Sequence, residues 1–405
     1  MTSEVKQLLK ALQQRAEATI PRLVFPNTKQ EEWKYTDPSA LQSIRWQTAL
    51  PQFESTVTPI PEAEFALVFA NGTFIPDRSV VEPGELLVLG SVLTDNSSAS
   101  LLSAHLGKYT DDWDMLSQIN SSSCEDLSLI YVPQNYADGT IVALHYLNQG
   151  QHSASHPRCL VVLAPHSRLT IVEVHQGNED VYWANPLTEI YVGEQAVLNH
   201  IIWQHQGLSA FHTQTTRVVQ AKNSFYQLQT IDVGAQLSRH NLHVQLQGDA
   251  TSTTLQGLVT IGANQTSDTY STIVHSHPSG RSNQLHKCIL RDHSHGVFSG
   301  QICVTKQGQL TDAQQMSRNL LLSPHARIDT KPQLQIVADN VKCAHGATVS
   351  QLDREEQFYL QSRGIDPVTA TNLLTYAFAG EILQNIPIAS VREAIVKLIF
   401  AQTIV

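Results

Sequence analysis

Near the C-terminus, the segment Ala338-Asp-Asn-Val-Lys-Cys-Ala-His-Gly-Ala-Thr-Val349 sets a thiol and an imidazole two residues apart, at Cys343 and His345. Side chains alternate along an extended chain, so Val341, Cys343 and His345 share one face while Lys342 and Ala344 take the other. A soft thiolate beside a borderline imidazole suits zinc, iron or copper, and the same two groups could serve as nucleophile and base. As a catalytic pair they are badly placed. Residues i and i+2 on a strand project in parallel, about 6 to 7 Å apart, and no third group orients the histidine. As a metal site they are incomplete, because tetrahedral centres take about three or four protein ligands. Cysteine is also among the most buried residue types, and one carbonyl satisfies a core histidine, so such a pair is often mere packing. The pair is therefore half of a site shared with another surface, or no site.

Other groups are weaker. His275-Ser-His277 and His293-Ser-His295 each put two imidazoles on one face if extended, in the manner of the first motif of cupin metal sites, but no placed carboxylate and third histidine follow. His145, His152, His156, His166, His175, His200, His205 and His212 show no ligand spacing. No P-loop is present: Gly107-Lys108 is followed by Tyr109, and Leu102 stands where its first glycine belongs. The chain is thus expected to bind no nucleotide and not to hydrolyse ATP itself.

The elements that position these residues are mostly strands. Glu4 to about Thr19 has helical apolar spacing through Val5, Leu8, Leu9, Leu12 and Ala16, and a proline-bearing linker with Trp33 and Tyr35 follows. From about Phe65, short runs rich in Val, Ile, Leu and Thr alternate with period two, recurring every 10 to 20 residues, and helix-length stretches are almost absent. That excludes a doubly wound α/β fold and leaves a sandwich, a large barrel or a solenoid. After Val349 the helical period returns. Asp353 or Ser350 can cap a helix ending near Gly364, Asp366-Pro367 opens a second in N-cap then N1 order, and Ser390 starts a third. The expected division is 1–60 helical, 61–349 β core and 350–405 helical.

Only 15 percent of the 405 residues are charged, which fits sheets faced with Thr, Ser, Gln and Asn. A net charge of -10, without a Lys/Arg cluster, argues against nucleic acid. Cys124, Cys159, Cys288, Cys303 and Cys343 are odd in number and widely spaced, as expected of free thiols in a reducing compartment. With no apolar run near the roughly 18 residues of a membrane span and no visible secretion signal, the expectation is a soluble cytoplasmic protein.

Several blocks recur in order with those of a known family: Gln30-Glu-Glu-Trp-Lys-Tyr-Thr-Asp37, Gln314-Gln-Met-Ser-Arg-Asn-Leu-Leu-Leu-Ser323, Ala326-Arg-Ile-Asp-Thr-Lys-Pro-Gln-Leu-Gln-Ile336, Asp339 to Val349, and Phe358-Tyr-Leu-Gln-Ser-Arg-Gly-Ile365. Together they resemble the SufB/SufD family of iron-sulfur cluster assembly, densely from about Val274 to Ile382. The form of Lys342 to Thr348 is similar to the SufD branch. The resemblance implies a mainly β chain built as a right-handed parallel β-helix, a single-stranded β-solenoid, flanked by N-terminal and C-terminal helical segments. It further implies a non-catalytic scaffold subunit that pairs with SufB through the β-helix and binds the ATPase SufC through the C-terminal helices. A homodimer would form in isolation. The iron or iron-sulfur cluster would be transient and shared with SufB, with His345 as the leading contact and Cys343 as the weaker one. Gln335 and Asn340 stand where related strands often carry carboxylates, which removes two oxygen ligands. Two rivals follow from the residues: a secreted-type parallel β-helix carbohydrate lyase or hydrolase, disfavoured by the shortage of Lys and Arg, and a cupin-like metalloenzyme using the His-Ser-His segments.

Overall fold

The computed structural model describes residues 4–403 apart from 49, 52, 54–55, 82–83 and 111–113. Beyond Ser128 the strands do not pair with their sequence neighbours. They alternate between two sheets, each strand lying parallel to the one a full coil earlier. One sheet ends with His295–Val304 and Arg327–Ile336, the other with Asp312–Leu321 and Lys342–Ser350. Leu237 pairs with Thr266 and Thr266 with His295, so one coil takes 29 residues there, and the sequence spacing of 10 to 20 marks half a coil. This is a parallel β-solenoid flanked by helices, as the family resemblance implies.

In-register stacking sets like beside like. Val161, Ile190, Val218, Val244, Ile273 and Ile302 occupy one position in six consecutive coils and form part of the interior core. Chain reversals at the corners use the left-handed region at Asn223, Ala250, Ser279 and Leu310, each two residues before its strand. Outside glycine, asparagine and aspartate that region is uncommon, so the turns carry no glycine signature.

The first coils are closed by the chain itself. Glu4–Thr19 is a helix, as its spacing predicts, and its Val5 and Leu9 pack with Val92, Ala99, Leu102, Leu129 and Leu160. Two short helices, Ala99–His105 and Met115–Ser123, lie within the stretch where helix-length patterns are almost absent from the sequence. The second depends on tertiary support: Asp114 accepts from the Leu116 amide at 3.2 Å and from Arg217 of the solenoid at 3.2 Å. Residues 31–37 form a strap across the first sheet. There the Arg239 guanidinium lies 4.1 Å from the Trp33 ring and 5.0 Å from the Tyr270 ring, pairs with Asp268, and donates to the Glu32 carbonyl at 2.8 Å.

At the other end, Arg354–Ser362, Pro367–Leu383 and Ala389–Thr403 follow the last strand. Asp353 and Asp366 cap the first two as their positions predict, and Gly364 adopts φ 87°. The latter two helices bury Ile382, Leu383, Val391, Ile395 and Ile399 on the outer face of the second sheet, against Val174, Ile201, Trp203 and Ile289. Lys287, buried beneath them, donates to the Phe378 carbonyl at 2.8 Å and pairs with Glu381 at 2.6 Å. No described helix is long and apolar enough to cross a membrane.

Burial drives the imidazoles of His145 and His275 down to about 4 and that of His286 to about 3. Unfolded histidines take up protons below about 6.5, whereas these three stay neutral in the fold. The unfolded chain then binds more protons, so stability is complete above that pH and falls as pH drops towards 4, by about 1.4 kcal/mol per pH unit for each histidine. Urea midpoints should therefore fall between pH 7.5 and 5.0, and His286→Asn should lessen the fall. Equal midpoints at both pH values would contradict this account.

Candidate functional site

Cys343 and His345 lie on Lys342–Ser350, the last strand of the second sheet, and their register partners are Ala313 and Gln315. Ala313 and Gln315 are both buried, so this face points into the solenoid. Each strand of the final coil has a neighbour on one side only, and its inward residues therefore lie uncovered: Ile336 is 40 percent and Val349 52 percent exposed, and His345 is exposed. A strand edge of this kind presents unpaired amides and carbonyls in a row. Here it encircles an apolar interior left open at its end, with Leu334, Val341 and Cys343 packed on the core below.

Partial burial raises the Cys343 thiol above its usual range, and the nearby Asp312 charge adds to that, while a hydrogen bond with the Ala313 backbone opposes it. The thiol is therefore protonated until a metal displaces its proton, which rules out spontaneous activation by His345. The strand runs through Gly346 and continues to Ser350. A Cβ at Gly346 would meet Met316 Cε at 2.9 Å and Sδ at 3.2 Å, so the glycine makes room for that methionine. Asn340 serves the corner: its carbonyl accepts from the Leu310 amide at 2.7 Å and its amide donates to Gln309 Oε1 at 3.1 Å. Asp339 is exposed beside it.

The His-Ser-His segments are not extended. His275 closes a strand, buried, with Nε2 2.9 Å from Ser282 Oγ, and His277 lies in the following loop. His293 lies in a turn and His295 begins a strand, its Nε2 2.8 Å from Asp329 Oδ2. Among the described residues, no three His, Cys, Asp or Glu side chains are grouped to hold a metal ion.

Sequence spacing missed a polar network inside the solenoid. Buried Glu173 accepts from Thr188 Oγ1 at 2.9 Å and Gln214 Nε2 at 2.9 Å, and lies 3.1 Å from His200 Nε2 and 3.2 Å from His175 Nε2. Burial pushes the Glu173 carboxyl up, but the hydrogen bonds and charge of His175 and His200 outweigh it and hold it well below its usual range. These residues come from four strands, so only the coil spacing could have united them.

Two family models cover nearly the whole chain: the SufBD protein N-terminal region at residues 1–142, and the SufBD core domain of SUF system FeS cluster assembly at 145–378. The chain belongs to the SufBD family. An iron-sulfur cluster assembly SufBD family protein of Synechocystis is 39 percent identical over 94 percent of this chain and 88 percent of its own length. Protein ABCI7, chloroplastic, of Arabidopsis thaliana is 33 percent identical over 95 percent of this chain and 84 percent of its own. Iron-sulfur cluster assembly protein SufD of Escherichia coli is 28 percent identical over 90 and 86 percent. Family membership gives this chain a role in the Suf iron-sulfur assembly system.

Because His345 is exposed at a free edge, His345→Ala should change the unfolding free energy by less than about 0.5 kcal/mol. Glu173→Ala removes the common acceptor of a buried network and should cost about 3 kcal/mol or more. Chemical denaturation of both variants checks the contrast, and a comparable loss in each would remove His345 from the rim.

Proposed function

We propose that this SufBD protein is a SufD-type, non-catalytic scaffold subunit whose open solenoid end is covered by SufB. The observation that carries the reading is the uncovered final coil, where apolar side chains, a thiol and an imidazole share the inward face. A second solenoid with a matching end would bury Ile336 and Val349, pair the free edges, and supply the ligands that Cys343 and His345 lack. The iron or iron-sulfur cluster is cargo at that interface, held first by His345 and more weakly by Cys343. When SufB is absent, a second copy of this chain covers the same end and gives a homodimer. The ATPase SufC docks on the C-terminal helices: Arg354–Ser362 buries none of its own residues and leaves Phe358 72 percent and Tyr359 58 percent exposed. Such aromatic exposure suits a partner surface. The five unpaired thiols suit work in the cytoplasm.

Anaerobic cluster reconstitution on the co-purified complex tests the reading. His345→Ala should lower bound iron at least several-fold while SufB and SufC stay attached, with a smaller effect from Cys343→Ala. Full cluster loading in both variants would reduce the pair to architecture. Phe358→Asp should release SufC and leave SufB bound.

A further inference from the structure

His293 and His325 occupy the same corner of two consecutive coils. His295 and Arg327 are register partners, and each histidine stands two residues before its strand begins. Stacked coils repeat at about 4.8 Å, so the two imidazoles lie face to face, with centroids 4.7 Å apart and planes 12° from parallel. Both are exposed, and among the described residues neither ring has a hydrogen-bond partner, whereas the neighbouring His295 is held by Asp329, which also pairs with Arg327 at 2.7 Å.

We propose that His293 and His325 form a two-imidazole clamp for a late first-row divalent cation at the rim of the solenoid's open end. Imidazole is a preferred ligand of such ions. Metal–nitrogen bonds of about 2.0 to 2.1 Å require the two nitrogens to approach within about 3 to 3.5 Å. Rotation of the exposed side chains about χ1 and χ2 closes the remaining gap. Two protein ligands leave other positions to water, which makes this a capture site that exchanges its ion and not a closed structural one. Coil symmetry also sets its direction: the column runs from Asn264 through His293 to His325, and the next position lies past the final coil. A protein covering that end can therefore add a third ligand. The site is independent of Cys343 and His345.

Isothermal titration of zinc into the full-length protein at pH 7.5 tests the clamp, in a Cys303→Ser/Cys343→Ser background that removes the two partly exposed thiols. One equivalent should bind. His293→Ala and His325→Ala should each weaken binding at least ten-fold, whereas His152→Ala, which removes an exposed histidine outside this pair and outside the Cys343–His345 strand, should leave it unchanged. The clamp is overturned by affinity that survives both variants, by an equal loss in His152→Ala, or by no binding to the parent. Circular dichroism on each variant shows whether the fold persists.

Discussion

Parallel, in-register pairing between coils is the constraint on which the rest of this molecule depends. A strand in such a stack finds partners for its amides and carbonyls only in the coil before and the coil after, so the polar backbone of the first and last coils must be satisfied by something else. At the N-terminal end the chain supplies that cover itself, with the helix Glu4–Thr19, the two short helices, and antiparallel strands such as Leu87–Leu89 against Ser128–Val132. At the C-terminal end no described strand covers the last coil, and Pro367–Leu383 and Ala389–Thr403 lie on the outer face of the second sheet. The polarity of the protein, with one sealed end and one receptive end, follows from where the helices fall in the chain.

The same repetition explains how polar groups survive inside. A buried carboxylate is costly unless hydrogen bonds meet its oxygens. Glu173 meets that condition because side chains from adjacent coils arrive at fixed spacing: His200 from the next coil of its own sheet, and Thr188 and Gln214 from the facing sheet. Further along, Gly257 and Gly300 leave room that His286 and Gln315 fill, since a Cβ at either glycine would meet those side chains at 2.7 and 2.2 Å. Gln315 then donates to Gln284 of the preceding coil at 2.7 Å, and the next position in that column is His345. His345 thus continues an interior column into the open, where no described strand follows it.

Much of this was legible in the residues, and the exceptions have physical reasons. Local signals were read well: the first helix, the caps at Asp353 and Asp366, and the strand alternation all report short-range preferences. What escaped was long-range. The corners use Ala250, Ser279 and Leu310 in the left-handed region, so no glycine or asparagine-glycine pattern exposed a 29-residue period, and the architecture had to come from family resemblance. Without the period, nothing local relates His200, Gln214 and Glu173. For the same reason, metal pairs were sought along a strand, at i and i+2, whereas the stacked pair His293 and His325 lies across coils. The placement of Cys343 and His345 on one face was readable from alternation, but their exposure was not, since it depends on the solenoid ending one coil later.

The connection between the last strand and the helices adds a mechanical argument. Only residues 351–353 separate Lys342–Ser350 from Arg354–Ser362. Pro367–Leu383 and Ala389–Thr403 are fixed to the solenoid by an apolar interface and by Lys287, while Arg354–Ser362 leans on its neighbouring helix and buries nothing of its own. A load applied to the exposed aromatics of that helix has two routes inward. One runs through the anchored helices, whose Glu381 pairs with Lys287 and Arg318, into strands held by neighbours on both sides. The other runs along three residues into a strand with a neighbour on one side only. The second route has the fewer restraints. On the proposed docking of a partner at Phe358 and Tyr359, displacement there would be expressed chiefly at the strand that carries Cys343 and His345, without requiring the rest of the solenoid to move.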